Sequence, residues 1–461
     1  MSMTVNITNA SAPIIEIPTH AFTLKSEIYE RRLSKLRKRM AKMGLDAIAI
    51  YADREHTANF SYITGFGPRF EESLLLILPS GKPKVLLGTE NLNMVDYAGI
   101  DLEGIHFPSF GLIGQPRENT LSLKCILKSA GLERGMSVGT VGWKYYSEVD
   151  GCPSDSIEIP HFLVEALVDA VGDTHRVKNV THIFMSPIDG LRTRLEPEQV
   201  IVFEYAACLV SKSMMNLMDS VEVGISEMEL GSKLQSMGMP LSAHPMVSVG
   251  DKARFGLTSP SARKAQLGDF LTSAFGIEGA LCCRAAYIAR SEKDISAEGW
   301  LENIAFRYFR TAVEWYESIG IGVEGGQIFD MVETRLPRSK FGWVLNPGHL
   351  IAADEWVSTP FMDNSRVKLQ SGNYMQFDLI ISPKEPYFGA NLEDGIVLAD
   401  QALRDEIRSL SPQTWRRFER RREYISRILG IQLREEVLPM SDLAGYYRPF
   451  LLNKDLILTV K

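Results

Sequence analysis

Val223-Gly224-Ile225-Ser226-Glu227-Met228-Glu229-Leu230 and, later in the chain, Ile321-Gly322-Val323-Glu324-Gly325-Gly326-Gln327-Ile328 spell the same local order: a long helix ending in a glycine turn, then a new helix. Ser226 and Glu229 stand at the S-x-x-E spacing of a capping box, in which serine and glutamate satisfy the helix's orphan N–H groups reciprocally. The helix leading into the first passage reads Pro197 to Val221, PEQVIVFEYAACLVSKSMMNLMDSV, with proline in its first turn, where its missing N–H is tolerated. Met214, Met215 and Met218 within it read as core packing. The repeated order implies a duplicated half-domain in the C-terminal part of the chain.

Upstream of Ser186-Pro187 the pattern differs. Glu27 to Met43 carries Ile28, Leu33, Leu36 and Met40 among basic residues, an amphipathic helix ending near Gly44. Asp46–Ala52, Ser73–Pro79 and Lys84–Gly88 are short apolar runs bounded by Gly, Pro or charges. Strands alternating with helices imply an α/β N-terminal domain. The 461 residues suit two or three domains, and 45% hydrophobic with 23% charged residues is an ordinary globular balance. A net charge of -7 argues against a general nucleic-acid binder. Cys125, Cys152, Cys208, Cys282 and Cys283 form no CxxC pair, which points to reduced thiols in the cytoplasm. Met1 to Pro18 lacks the pattern of a secretory signal and reads as an extended arm. Charges interrupt every candidate for the roughly 18–20 apolar residues that cross a bilayer, so no membrane partner is expected.

From about Tyr29 to Glu90, a helix, then GLDAIAIY (Gly44 to Tyr51), NFSYITGF (Asn59 to Phe66) and an apolar strand resemble the N-terminal domain of creatinases and proline-specific peptidases. The duplicated half-domain is similar to the pita-bread fold of the same creatinase and aminopeptidase P superfamily. The resemblance implies an α/β N-terminal domain over 1–186, an α+β pita-bread domain with an internal pseudo-two-fold repeat over 187–435, and a C-terminal tail, 436–461, packing on it.

In that superfamily two Asp, one His and two Glu hold two divalent ions on the inner face of a curved sheet, where the ions activate a water. Asn346-Pro347-Gly348-His349-Leu350-Ile351 resembles the G-H-G-I-G stretch and puts His349 at the ligand histidine. Gly372-Asn373-Tyr374-Met375-Gln376-Phe377-Asp378 resembles the strand ending in the first ligand glutamate, with Asp378 one methylene shorter. Asn391-Leu392-Glu393-Asp394-Gly395-Ile396-Val397 resembles R-x-E-D-x-x-x-V and puts Glu393 at the last ligand. Leu267 to Ala274 resembles the G-D-x-x-x-x-D strand, but Ala274 holds the first aspartate position. The second, 11 residues on, is Ala285. Asp269 belongs to the turn before that strand. The resemblance therefore implies no metal cofactor of the dinuclear kind, while His349, Asp378 and Glu393 retain the capacity for one divalent ion with open positions.

Further candidates follow from the same resemblance. Arg284 would supply positive charge near the vacated metal position and hold a substrate carboxylate, with a salt bridge to Glu393 as the structural alternative. Glu355 and Trp356 are substrate-side residues, Trp356 standing at the family's second histidine and either stacking on substrate or filling the ions' space. Gly250 to Leu257 resembles a segment that in creatinase carries an acid–base histidine, absent here; His244 lies upstream. Arg69 and Phe70, after Gly65-Phe66-Gly67-Pro68, are candidates to reach a neighbouring subunit's pocket in a homodimer. Cys282 and Cys283 read as small buried residues, and the arginines of the helix Ser411 to Gly430 as a solvated or dimer-facing surface.

The implied function is metal-independent hydrolysis of a C–N bond in a small polar metabolite, as in creatinase and ectoine hydrolase. His349 would be an acid–base group, with Glu393 and Asp378 binding or activating water. The alternatives are an Xaa-Pro dipeptidase or aminopeptidase with a reduced metal site, and a non-catalytic ligand-binding protein.

Overall fold

A computed structural model describes residues 3–117, 120–147 and 150–461. It divides into two units: Leu24–Arg192, and Thr193–Lys461 together with Met1–Thr23. The expected N-terminal domain over 1–186 is thus corrected at both ends.

In the N-terminal unit the apolar runs form the strands Ala47–Ala52, Ser73–Ile77 and Lys84–Leu87. They sit within a six-stranded mixed sheet, ordered 103–106, 84–87, 73–77, 47–52, 138–141, 177–179. Ala47–Ala52 runs antiparallel to Ser73–Ile77 and parallel to Val138–Val141. Every residue of that central strand is buried, as a strand covered on both faces requires. The helix Ser26–Met43 buries the expected Ile28, Leu33, Leu36 and Met40 and stops at Gly44 in the left-handed region.

The C-terminal unit contains the repeat. The helix Pro197–Asp219 is followed by the short helix Glu227–Gly231, whose Ser226–Glu229 capping box is formed in both directions. Later, the helix Phe306–Ser318 is followed by Gly325–Arg335, capped reciprocally by Glu324 and Gln327. Loss of such a cap costs about 1 kcal/mol. Pro197–Asp219 is by length and composition apolar enough to cross a membrane, which the sequence reading had not expected; 78% of its most apolar stretch is buried inside the unit, and Met214, Met215 and Met218 are core residues.

Two four-stranded sheets follow the helices, ordered 391–393, 280–287, 270–277, 241–249 and 349–350, 374–376, 395–398, 437–439. The chain passes from one sheet into the other at Asp394, between Asn391–Glu393 and Gly395–Leu398. Gly395 is required there, because a Cβ would stand 2.5 Å from the Tyr374 ring.

The N-terminal arm belongs to this unit: Val5–Asn9 pairs antiparallel with Leu456–Val460. The helix beginning at Pro412 is capped by Ser411 as expected. Its arginines are not all at the surface, however, and that expectation is corrected for Arg417 and Arg421, which are buried. Arg417 binds Glu204, and Arg421 binds Glu204 and Asp442. A buried carboxylate needs such partners, and Glu204 on the first long helix supplies the matching charge.

Candidate active site

Strand alternation sorts the three central strands into two faces. Opposite Cys283 stand Ala274 and Glu393; opposite Ala285 stand Thr272 and Asn391; opposite Arg284 stand Ser273 and Leu392. Ala274, Cys283, Glu393 and Thr272, Ala285, Asn391 are therefore two adjacent rows on one face. All six line a cavity of about 500 Å³, within the usual range for a small-molecule site.

His349 enters this cavity from the second sheet, where it pairs with Gln376. Gly348 before it has φ 117°, and a Cβ there would lie 2.6 Å from the Gln376 carbonyl, so the chain admits only glycine. Asp378 follows two residues after Gln376. His349 Nε2 lies 3.5 Å from Glu393 Oε1 and 4.0 Å from Asp378 Oδ2. Its Nδ1–H donates to the Leu350 carbonyl at 3.3 Å, leaving Nε2 as the nitrogen that faces the carboxyl groups. All three side chains are nearly inaccessible, and Asp378 Oδ1 is buried with no hydrogen-bond partner.

Burial dominates the electrostatics. It pushes Glu393 up to about 8, against a hydrogen bond from Cys283 that favours the charged form. It pushes Asp378 well above the carboxylate range, reinforced by Glu393. Burial also lowers His349, with Asp378 opposing. Glu355 is raised by burial too, while His349 pulls it down. The floor thus gathers acids around a neutral imidazole without a guanidinium.

Of the remaining sequence candidates, Trp356 stacks on His349, with ring centroids 4.2 Å apart and 17° between planes. Glu355 and Trp356 both line the cavity. Arg284 is corrected: although it borders the cavity, its guanidinium is buried, with Nη1 and Nη2 committed to Asp394, to the carbonyls of Cys283, Glu393 and Leu443, and to Cys282 Sγ, and Nε without a partner. It is therefore neither a free carboxylate binder nor the salt-bridge partner of the Glu393 side chain. Glu393 and Asp394 point to opposite faces, and Arg284 serves the second. His244 is exposed and does not line the cavity. Phe255 and Leu257, on the loop without the family histidine, line the cavity and are 74% and 75% exposed. In the other unit Phe70 is 76% exposed. Sequence reasoning overlooked Thr272 and Asn391, two residues before Ala274 and Glu393, where strand alternation alone would have placed them on the same face.

One ligand atom from each of His349, Asp378 and Glu393 falls within 4.8 Å of the other two. One nitrogen and two carboxylate oxygens, with the Asp378 Oδ1 orphan, fit a single divalent ion. They do not fit a pair, since Ala274 and Ala285 offer no donor.

Residues 32–110 match the creatinase/prolidase N-terminal domain. Among solved structures, the prolidase from Pyrococcus horikoshii OT3 aligns at 15% identity with TM-score 0.62, covering 80% of this chain and 95% of its own. The recombinant prolidase from Thermococcus sibiricus gives 15%, TM-score 0.64, 81% and 95%. The X-Pro aminopeptidase from Thermotoga maritima MSB8 gives 14%, 0.62, 80% and 95%. No curated protein sequence matches significantly. The structural matches show a shared fold, a creatinase-type N-terminal domain followed by a pita-bread domain. Residues 32–110 thus carry a creatinase/prolidase-type N-terminal domain, and the chain as a whole is similar in fold to prolidases and an X-Pro aminopeptidase.

Proposed function

We propose that the C-terminal unit is a hydrolase that cleaves a C–N bond in a small polar substrate without a dinuclear metal centre. The observation that carries this reading is the buried Glu393–Asp378–His349 cluster on the floor of a cavity whose two further ligand positions are alanine. With both acids raised and the histidine lowered, the cluster at neutral pH holds a carboxyl proton beside an unprotonated imidazole. The imidazole Nε2 then accepts a proton from water as its oxygen attacks the substrate carbon, and the carboxyl group protonates the leaving nitrogen as the C–N bond breaks. Trp356 holds the imidazole plane, and the apolar walls, Phe255, Leu257 and Phe388 among them, keep other water from the floor. Small-substrate binding by a cytoplasmic homodimer, with Arg69 and Phe70 at a neighbouring pocket, belongs to the same proposal.

A second reading, favoured by the convergence of His349, Asp378 and Glu393 and the orphan Asp378 oxygen, is an Xaa-Pro peptidase with one ion. When bound, that ion would acidify a water molecule. The structural neighbours, prolidases and an X-Pro aminopeptidase, suggest its substrate class.

Chelator-treated protein assayed for amine release from small guanidino, ureido and N-acyl compounds and from Xaa-Pro dipeptides separates the two. Turnover without metal that falls by about 10²–10⁴ in Glu393→Gln supports the first reading. Turnover restored only by one added equivalent of a divalent ion supports the second. No turnover under either condition overturns both and leaves a ligand-binding protein.

A further inference from the structure

A second cavity, of about 460 Å³, is lined by the helices Phe306–Ser318 and Gly325–Arg335 and shares no lining residue with the candidate active site. Its size suits a small molecule. Arg307, Arg310 and Thr311 stand at the i, i+3, i+4 spacing of one helix face, and Arg335 comes from the second helix. Arginines elsewhere in this unit meet carboxylates: Arg338 reaches Glu333, Arg417 Glu204 and Arg448 Asp219. Arg335 itself is bridged to Glu314 at 2.6 Å. Arg307 and Arg310 have neither an ion pair nor a side-chain hydrogen bond among the described residues, although like charges one helical turn apart repel. The Thr311 and Thr334 hydroxyls donate to the carbonyls of Arg307 and Asp330, at 2.9 and 2.7 Å, so the free donors of the cavity are the guanidinium groups. A π-turn, Leu301–Ala305, leads into the first helix; such turns are rare and often stand at functional sites. It carries Glu302, and the half-buried Phe306 follows it; both line the cavity. Glu302 lies roughly 12 Å along the helix from Arg310, which makes the cavity cationic at one end and acidic at the other.

We infer that this cavity binds the phosphate monoester of a small aromatic molecule, its dianion held by Arg307 and Arg310 and its ring lying against Phe306. Guanidinium groups match phosphate oxygens two at a time and stay charged at every physiological pH. The cavity is far larger than a free phosphate needs, and the space left over is walled by Phe306, an apolar face on which a ring packs. Glu302 repels a second anionic group at the far end, so the ligand carries its charge at one end only. The inference stands apart from the proposed function and does not depend on it.

The test is calorimetry on the full chain with phenyl phosphate and inorganic phosphate as probes. The proteins are the wild type, the double variant Arg307→Gln/Arg310→Gln, Phe306→Leu, and Glu393→Gln as a control for binding in the other cavity. Phenyl phosphate should bind the wild type more tightly than inorganic phosphate, and should weaken about tenfold for each guanidinium removed. Phe306→Leu should bring phenyl phosphate down toward inorganic phosphate and leave the latter unchanged, while Glu393→Gln changes neither. The thermal midpoint of the ligand-free double variant should be unchanged or higher, since the two charges have no partner to lose; this separates lost binding from lost folding. Absence of phenyl phosphate binding to the wild type overturns the site, as does binding that survives in the double arginine variant or disappears in Glu393→Gln. Equal affinity for the two probes overturns the assignment to an aromatic ester.

Discussion

Two fully buried glutamates in the same unit meet opposite fates. Glu204 accepts from Arg417 Nε at 2.8 Å and from Arg421 Nη2 at 2.6 Å. Burial pushes its carboxyl up, but Arg421 and Arg417 outweigh that and hold it below the usual range. Glu393 receives a hydrogen bond from Cys283 and has the His349 imidazole and the acids Asp378 and Glu355 near its carboxyl, and burial pushes it up to about 8. The first environment is complete without anything from outside. The second lacks a positive charge and several hydrogen bonds, a deficit that stability alone would not maintain. Asp394, one residue from Glu393, stands between the two: it faces the other way and receives Arg284 and Ser441, yet burial outweighs them and its carboxyl is raised.

The sharpest way to break the comparison is to neutralise each glutamate in turn. Glu204→Gln leaves Arg417 buried without its counter-charge and Arg421 with Asp442 alone, and the expected loss is about 3–5 kcal/mol in urea denaturation. Glu393→Gln should leave stability at neutral pH unchanged or improved, because it removes a carboxyl that folding must keep protonated. Equal losses in the two variants would erase the distinction.

A smaller effect is expected in the pH dependence. Glu393 is raised in the folded state to about 8, so between roughly pH 4.3, its unfolded value, and pH 8 the folded chain keeps a proton that the unfolded chain has released. Stability from this group therefore declines as pH rises through that window, by about 3–4 kcal/mol between pH 5 and 8 for ligand-free protein. Glu204 has the opposite sign: its contribution is present at neutral pH and lost as pH falls through its lowered folded value. Urea midpoints at pH 5 and 8 for wild type and Glu393→Gln measure the difference, and a flat wild-type profile would contradict it. The smallest effect is expected from Trp356→Leu. Removing the stacked ring costs about 0.5–1.5 kcal/mol, and admitting water should move the His349 titration seen by NMR up toward about 6.5.

What the sequence displayed were features with local signatures. The glycine turns before Ser226 and Glu324, the amphipathic helix ending at Gly44 and the Pro197 helix start are written in consecutive residues and appear in the structure. His349, Asp378 and Glu393 were found by resemblance, and the structure brings them together. The misreadings all depended on long-range contacts, strand register among them, which no local stretch encodes. Arg284 was assigned to the cavity because it neighbours Cys283 and Ala285. Its place opposite Leu392, and hence on Asp394's face, follows only once the strands 280–287 and 391–393 are aligned. Thr272 and Asn391 were hidden for the same reason. The arm Val5–Asn9 joins Leu456–Val460 across almost the whole chain, and Arg417 and Arg421 face inward only because Glu204 waits on a distant helix.

The central claim is that the fold's two-metal chemistry has given way to a single acid cluster. Equilibrium dialysis of the chelator-stripped protein against manganese, zinc or cobalt, read by elemental analysis, tests it most directly. The expected stoichiometry is at most one ion per chain, lost in Glu393→Gln. Two tightly held ions per chain that disappear together in Glu393→Gln would contradict the account.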